Sequence, residues 1–317
     1  MTNFIIRKLL LLVPMSLGVS MIIFFAIRLS PVDPINIMAT PDQNLSPEKL
    51  EELRQSLGLN DPLILQYLRW LKDVLTGNWG NSIQTGQPVT EIIAARFPAT
   101  LEIMGWALIL STIIGISWGL LSAAFQNSII DHLGRFMTVM GIAVPGFFLG
   151  IIVIQVFAYK LEWFNPGGRI YPGEYTFFDR APNLVLPVLT LTFGLIGVLI
   201  RYTRNSALDV MAKDYIKTAR SKGISERQVY LRHVLRNSLG PVLVILVFRL
   251  PSLVGGSVLV ETIFKWPGIG STIVTSISSS DYPVIMITSM MVALAILVAS
   301  FLVDVVKAIV DPRIRLS

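Results

Sequence analysis

The 317-residue sequence contains no cysteine, which excludes disulfides, thiolate metal sites and a cysteine nucleophile. Histidine is nearly absent as well: His132 and His233 are the whole imidazole supply, too few for a multi-histidine zinc centre or a histidine proton relay. Charge is the third scarcity. Only 15% of residues are charged, against roughly 25% in soluble domains, while 53% are hydrophobic and the mean hydropathy is +0.66. That composition excludes a water-soluble globule and a disordered chain, and it predicts an integral membrane protein. Chemistry-bearing motifs are scarce too. No Gly-Lys dipeptide occurs, so a GxxxxGK[ST] phosphate loop for ATP is excluded. No string of the form GxSxG, the serine-hydrolase elbow, is expected, and both histidines are placed in connections rather than at membrane depth. The chain is therefore read as a non-enzyme.

What is present is long hydrophobic runs. Six of them reach the roughly 20 residues that a helix needs to cross a hydrocarbon core: Leu9–Leu29, Ile103–Phe125, Phe136–Ala158, Leu184–Ile200, Leu239–Val260 and Val284–Val303. The first follows Arg7-Lys8 as a signal peptide would, but its apolar run is too long and no small-residue cleavage site follows, so it is read as a retained helix. The third carries Gly141, Pro145, Gly146 and Gly150 and the fourth is the shortest, so these two are expected to be the least regular. The predicted fold is an all-α integral membrane protein with six transmembrane helices. Residues 1–30 hold the N-terminus and first helix, 31–97 an external helical subdomain, and 98–317 a five-helix core with the connection 201–239 inside it.

Lysine and arginine set the expected orientation. With the N-terminus inside, Arg7, Lys8, Arg135, the nine basic residues from Arg201 to Arg236, Lys307, Arg313 and Arg315 all fall on the cytoplasmic side. The short connections opposite hold only Lys160, Arg169, Arg180 and Lys265. Within 31–97, Ser46 and Pro47 predict a helix with Leu50, Leu53 and Leu57 on one face and a stop at Gly58. Asp61 and Pro62 repeat that signal for a second helix carrying Ile64, Leu68, Leu71 and Leu75 to Gly77. Tyr67, Trp70 and Trp79 suit either a membrane interface or a small packed core.

The net charge of +6 resides in one place. Nine basic and three acidic residues in 201–239 leave a surplus of six, and elsewhere the charges cancel. Leu208, Met211, Ala212, Tyr215, Ile216 and Ala219 fall on one stripe of a helix outside the bilayer. Gly223 is placed to end that helix, and Ser225 with Gln228 reads as a capping box for another, whose Leu231, Val234 and Leu235 share a face. A lipid-bound helix would carry bulkier apolar residues and no nucleic-acid reader motif occurs, so a groove on a cytosolic protein is the favoured partner.

Among intramembrane polar residues, Arg249 stands centrally in the fifth run, two residues before Pro251 and near Gly255 and Gly256. A charge at that depth costs roughly 2.5–3.5 kcal/mol on insertion scales and tends to face a pathway or a partner. Arg249, Pro251 and Gly255 are therefore candidate translocation-pathway residues. Neutralisation of a carboxylate or of backbone carbonyls in a static helix contact is the competing reading. Glu102, at the outer end of the second run, carries little weight.

Several local sequences follow one another in order. They are Gly58-Leu-Asn-Asp-Pro-Leu63, Gln66-Tyr-Leu-Arg-Trp-Leu71, Gly80-Asn-Ser82, Pro88-Val89 and Arg96-Phe-Pro-Ala-Thr-Leu-Glu102, then Asp214-Tyr-Ile-Lys-Thr-Ala-Arg-Ser-Lys-Gly223, Ser225-Glu-Arg227 and Arg232-His-Val-Leu-Arg-Asn237. Glu261-Thr-Ile-Phe-Lys-Trp-Pro-Gly-Ile-Gly270 and Asp311-Pro-Arg313 complete the set. Over nearly the whole chain this resembles the B-type permease subunits of dipeptide/oligopeptide ABC transporters. The resemblance implies a cofactor-free pore subunit of a peptide importer, with a cytosolic coupling helix between helices four and five that enters a cleft of an ATPase subunit. The residues it implicates in coupling are Tyr215, Ile216, Lys217, Thr218, Ala219, Arg220 and Gly223. Ala219 and Gly223 match the family's EAA motif, whereas Lys217 stands for its glutamate, Thr218 for its alanine, and Pro241 follows at a longer spacing. It further implies a homologous C-type permease, two cytosolic ATPases, an extracytoplasmic solute-binding protein, alternating access, and a bacterial or archaeal inner membrane with both termini cytoplasmic. Related permeases also serve glutathione, nickel chelates and some sugars. The alternative is an ion-gradient-driven secondary transporter without ATPase partners, whose typical matched broken helices are not evident between the halves.

Overall fold

The computed structural model describes residues 2–29, 49, 51, 54–55, 58–171, 173 and 176–310. Most of the helix expected after Ser46, and the Asp311–Arg313 segment, lie outside them. Among the described residues there is no strand, only an isolated β-bridge between Asn81 and Pro88. The helices are α1 (Thr2–Arg28), α2 (Leu63–Leu75), α3 (Val89–Ala124), α4 (Ile129–Ala143), α5 (Gly146–Lys160), α6 (Phe177–Met211), α7 (Asp214–Ser221), α8 (Glu226–Phe248), α9 (Leu250–Ile263), α10 (Ile269–Ser278) and α11 (Tyr282–Val310). Single π-helical stretches occupy Ile154–Lys160 in α5 and Val229–Val234 in α8. α1, α3, α6, α8 and α11 are each long and apolar enough to cross a bilayer; α4 and α5 pass that test only as a pair, so the described residues hold five such helices, or six spans if the bent pair is one.

Three of the expected spans change shape. The third is not one rod: α4 and α5 meet at 107°. The break is at Val144, which precedes Pro145 and takes the extended conformation that a following proline favours, so α4 stops there and α5 starts after Pro145. The fourth run, expected to be the shortest, is the middle of the 35-residue α6, because Thr176 and Asp179 cap it reciprocally well before the apolar stretch and it continues through Arg201 and Arg204. The fifth run is interrupted at Arg249, where α8 ends and α9 begins with Pro251 in its first turn.

Packing is centred on α6. Of its apolar window, 72% is buried, whereas 11% of that of α1 is, so α6 is the core of the bundle and α1 lies on its periphery. Contact between α3 and α6 depends on small residues. A Cβ on Gly115 would sit 2.5 Å from Leu199 Cβ, and one on Gly119 would sit 2.5 Å from Thr203 Cβ, so only glycine permits this approach. One apolar cluster joins Ile103 and Ala107 of α3, Leu184, Leu191 and Leu195 of α6, and Leu253 and Val260 of α9.

α1 is fixed at both ends. Near the start of α1, Lys8 Nζ donates to Asp304 of α11 at 2.7 Å, so the first turns of α1 lie beside the last turns of α11. At the other end Phe24, Phe25, Tyr67 and Trp70 form an aromatic cluster, with Ser20 Oγ 2.8 Å from the Tyr67 hydroxyl. Tyr67, Trp70 and Trp79 thus belong to a packed core. The apolar positions singled out on α2 mostly face away from it: Ile64, Leu68 and Leu75 are exposed. Asp61 does not cap α2 either, since Pro62 occupies the N-cap without a side-chain bond and Asp61 pairs with Arg69.

Candidate functional site: a docked helix and a broken span

The stripe from Leu208 to Ala219 does not form one helix. α6 stops at Met211, and Ala212-Lys213 turns the chain into the separate eight-residue α7. The apolar residues still converge. Ile216 and Ala219 of α7 are buried against Ala207 and Val210 of α6 and Val229 and Val234 of α8, with Ala123 of α3 alongside. That face is therefore consumed inside the chain, and the face left open is polar, with Tyr215, Lys217, Thr218 and Arg220 exposed. This corrects the expectation of an apolar helix end offered to a groove.

Gly223 ends α7 as expected, and the geometry shows why. Its φ of +75° is the left-handed conformation that glycine adopts without strain. Gly223 N donates to Arg220 O at 2.9 Å and Ile224 N donates to Ala219 O at 3.3 Å, the two bonds of a Schellman cap, and Ile224 packs on the same cluster as Ala219. The capping box expected at Ser225 does not form. Instead Glu226 accepts two bonds from Arg220, Nε at 2.8 Å and Nη2 at 3.1 Å, bracing α7 against the start of α8. The same pair raises the Arg220 guanidinium above its already high ordinary value, so it stays charged. Lys217 bonds to Asp214 at 2.9 Å on the open face.

Arg249 sits at the joint between α8 and α9, half-buried. The static-contact reading needs a carboxylate or carbonyl on its guanidinium, and among the described residues the side chain makes no such bond. Pro251 explains the joint, since it has no N–H for the Val247 carbonyl. Gly255 is exposed with open space around its Cα, whereas Gly256 faces Leu191 of α6. Lys307 of α11 lies over the Phe248 ring at 4.2 Å from its centroid, placing a second cation one residue before the joint.

Known proteins resemble this chain along its length. Residues 115–316 match the model of the family described as binding-protein-dependent transport system inner membrane component, and residues 1–104 match the N-terminal model of such membrane components. The chain belongs to this family. It is 42% identical to the oligopeptide transport system permease protein AppB of Bacillus subtilis, over 99% of this chain and all of that protein. It is 36% identical to the glutathione transport system permease protein GsiC of Salmonella paratyphi A, over 99% of both chains. Among solved structures, an inward-facing MetNI methionine ABC transporter chain aligns with a TM-score of 0.54 at 16% identity, covering 71% of this chain and 98% of that one, which shows a shared fold. Membership makes this a multi-pass inner-membrane permease component, and it displaces the secondary-transporter alternative.

Two polar centres of the permease were not singled out in the sequence. Asp131, the sole carboxylate between Glu102 and Glu162, is fully buried in α4. It accepts Arg204 Nε at 2.7 Å and Nη2 at 3.0 Å, Arg135 Nη2 at 2.6 Å and the Asn127 amide at 3.0 Å, tying α4 to α6. Asp131 falls in the connection between the second and third apolar runs, where its sequence neighbours give no sign of burial. The second centre is Glu261, buried at the end of α9. It accepts Thr100 Oγ1 at 2.8 Å and Ser271 N at 3.0 Å, while Thr100 Oγ1 accepts Ile269 N and Trp266 Nε1 donates to Ala99 O, each at 2.8 Å. A Cβ on Gly268 would lie 2.4 Å from Glu261 Oε2, so the Glu261–Gly270 motif is a turn wrapped around one carboxylate. Glu102, given little weight in the sequence, pairs with Arg169 at 2.8 Å and anchors the loop that follows α5.

A string of the form GxSxG does occur, Gly115-Ile-Ser-Trp-Gly119, contrary to the expectation of none. It lies inside α3 with no strand or turn, and its glycines serve the contact with α6. It is not an elbow.

Proposed function

We propose that this permease forms half of the translocation pathway of an ABC importer for peptides and works by alternating access. Peptides are favoured as cargo because the oligopeptide permease relative is 42% identical along its full length. On this reading a homologous C-type permease completes the pore, two ATPase subunits lie on the cytoplasmic side with both termini, and a solute-binding protein docks on the opposite side. Residues 31–97 and the five-helix core 98–317 are its external and membrane parts. α7 is the coupling helix, with Tyr215, Lys217, Thr218 and Arg220 toward the ATPase and Ile216, Ala219 and Gly223 holding it in place. Arg249, Pro251 and Gly255 lie along the pathway.

The observation that carries this reading is the seating of α7. Ile216 and Ala219 lock it to α6 and α8, so displacement of α7 by a closing ATPase dimer passes directly into two spans. The test is Gly223→Trp, with Gly223→Asn, which tolerates positive φ, as the control. The tryptophan complex is expected to assemble while losing at least about tenfold in peptide uptake and peptide-stimulated ATP hydrolysis, a barrier of about 1.4 kcal/mol. Normal uptake and stimulation in assembled Gly223→Trp would overturn coupling at α7.

A further inference from the structure

Between α4 and α6, at the end of α6 that leads to α7, lies an open cavity of about 350 Å³ lined by Gly134, Arg135, Thr138, Val139, Ile200, Arg201, Arg204 and Asn205. Three guanidinium groups face it and a single carboxylate, Asp131, lies beneath. That carboxylate has no exposed surface and is already saturated by Arg204, Arg135 and the Asn127 amide. Arg201 is exposed, and none of its side-chain nitrogens bonds to a described residue. The cavity therefore carries a net charge of +2 with donors to spare. Its back wall is closed: Thr138 Oγ1 bonds to Gly197 O at 3.0 Å, and Gly197 packs on Thr138 with no room for a Cβ. Toward the middle of the bilayer, the surface of α4 continues as Phe136, Val139 and Ile142, all more than half exposed.

We propose that this cavity holds the headgroup of an anionic phospholipid, its phosphate on Arg135, Arg201 and Arg204 and its acyl chains along Phe136, Val139 and Ile142. Phosphate oxygens match the guanidinium fork, and basic cavities between transmembrane helices are suited to acidic headgroups. A protein partner would have to supply both an acidic group at the rim and a hydrocarbon-like strip next to it, and a lipid carries that combination in one molecule. The lipid would bridge α4 and α6 on the side opposite the small-residue contact of α6 with α3. The proposal needs only that these helices span a bilayer, and the orientation proposed above decides only which leaflet supplies the lipid.

The test uses the transporter purified with its partner subunits and reconstituted in phosphatidylcholine bilayers, with fluorescent phosphatidylglycerol as the probe. Arg135→Gln/Arg201→Gln spares the Arg204–Asp131 pair, and Arg227→Gln/Arg232→Gln removes the same charge from exposed positions outside the cavity. Each cavity arginine removed is expected to weaken phosphatidylglycerol binding about fivefold, and the pair about 25-fold. The outer pair should change it less than about twofold, and retained phosphatidylglycerol in extracts of the purified complex should fall only in the cavity variant. Equal binding in both double variants would overturn the site. Displacement of the probe by millimolar inorganic phosphate would make it a free-anion site and overturn the lipid. Loss of the second permease from the cavity variant, with lipid retention unchanged, would make the cavity a subunit interface. Because lipid binding is read without transport, failure of the peptide-importer reading would leave this result standing.

Discussion

Asp131→Ala should be the most damaging single truncation of a side chain in the α4–α6 contact. Asp131 is fully buried, and Arg204, which gives it two bonds, is 20% exposed. Removing one partner of a buried pair costs about 3–5 kcal/mol because the other charge is left unpaired. Arg204 retains a path to water, which favours the low end of that range. Arg135 is half exposed, so its lost bond adds little. A total near 3 kcal/mol, at about 2 °C per kcal/mol for a chain of this size, lowers the unfolding midpoint by about 6 °C. Tryptophan fluorescence during a thermal ramp of the detergent-solubilised protein reads that shift. A double-mutant cycle with Arg204→Gln isolates the pair: Asp131→Ala/Arg204→Gln should fall short of the sum of the singles by about 2 kcal/mol. A midpoint for Asp131→Ala within about 1 °C of the wild type, or strict additivity in the cycle, would refute the assignment of Asp131 as the tie between α4 and α6.

Further outcomes follow from the packing. Gly119→Leu should force α3 away from α6, because even its Cβ would lie 2.9 Å from the Ile200 carbonyl oxygen; a cost of about 1–3 kcal/mol or more should cut the monodisperse yield on size exclusion, whereas Gly105→Ala, with open space around it, should not. Trp266→Phe removes the indole bond to the Ala99 carbonyl, which keeps its place in the helical ladder of α3, and should cost about 0.5–1.5 kcal/mol, read as a lower thermal midpoint. Arg249→Ala should reduce uptake of a labelled peptide while leaving the midpoint unchanged, since no bond to a described residue is lost; unchanged uptake would remove Arg249 from the pathway.

The all-helical membrane character and the place of the long apolar helices were legible because they are compositional: hydrocarbon demands apolar runs. Breaks were harder. Pro145 marked the third run as irregular, but a proline alone does not distinguish a kink from the 107° turn found, and Pro182 and Pro187 are accommodated inside α6 with no break at all. The caps expected at Asp61 and Ser225 fail separately: Asp61 pairs with Arg69, eight residues on, and Ser225 makes no side-chain cap bond, while the neighbouring Glu226 pairs with Arg220. Gly223 was readable because its role is local, needing only its own φ. Asp131–Arg204 and Glu261–Thr100 were not, because each joins residues far apart in the chain and becomes visible only when the helices are side by side.

The length of α6 has a mechanical consequence. At about 1.5 Å per residue its 35 residues extend about 52 Å, against a hydrocarbon core of about 30 Å. One unbroken rod thus holds Asn183, bonded to Asn165 and Arg169 of the loop after α5, and Val210, under α7. A rod pivoting within the membrane moves its two ends in opposite directions. The loop contacts near one end and the α7 seat near the other are thus carried by a single helix, which accommodates Pro187 between them without a break.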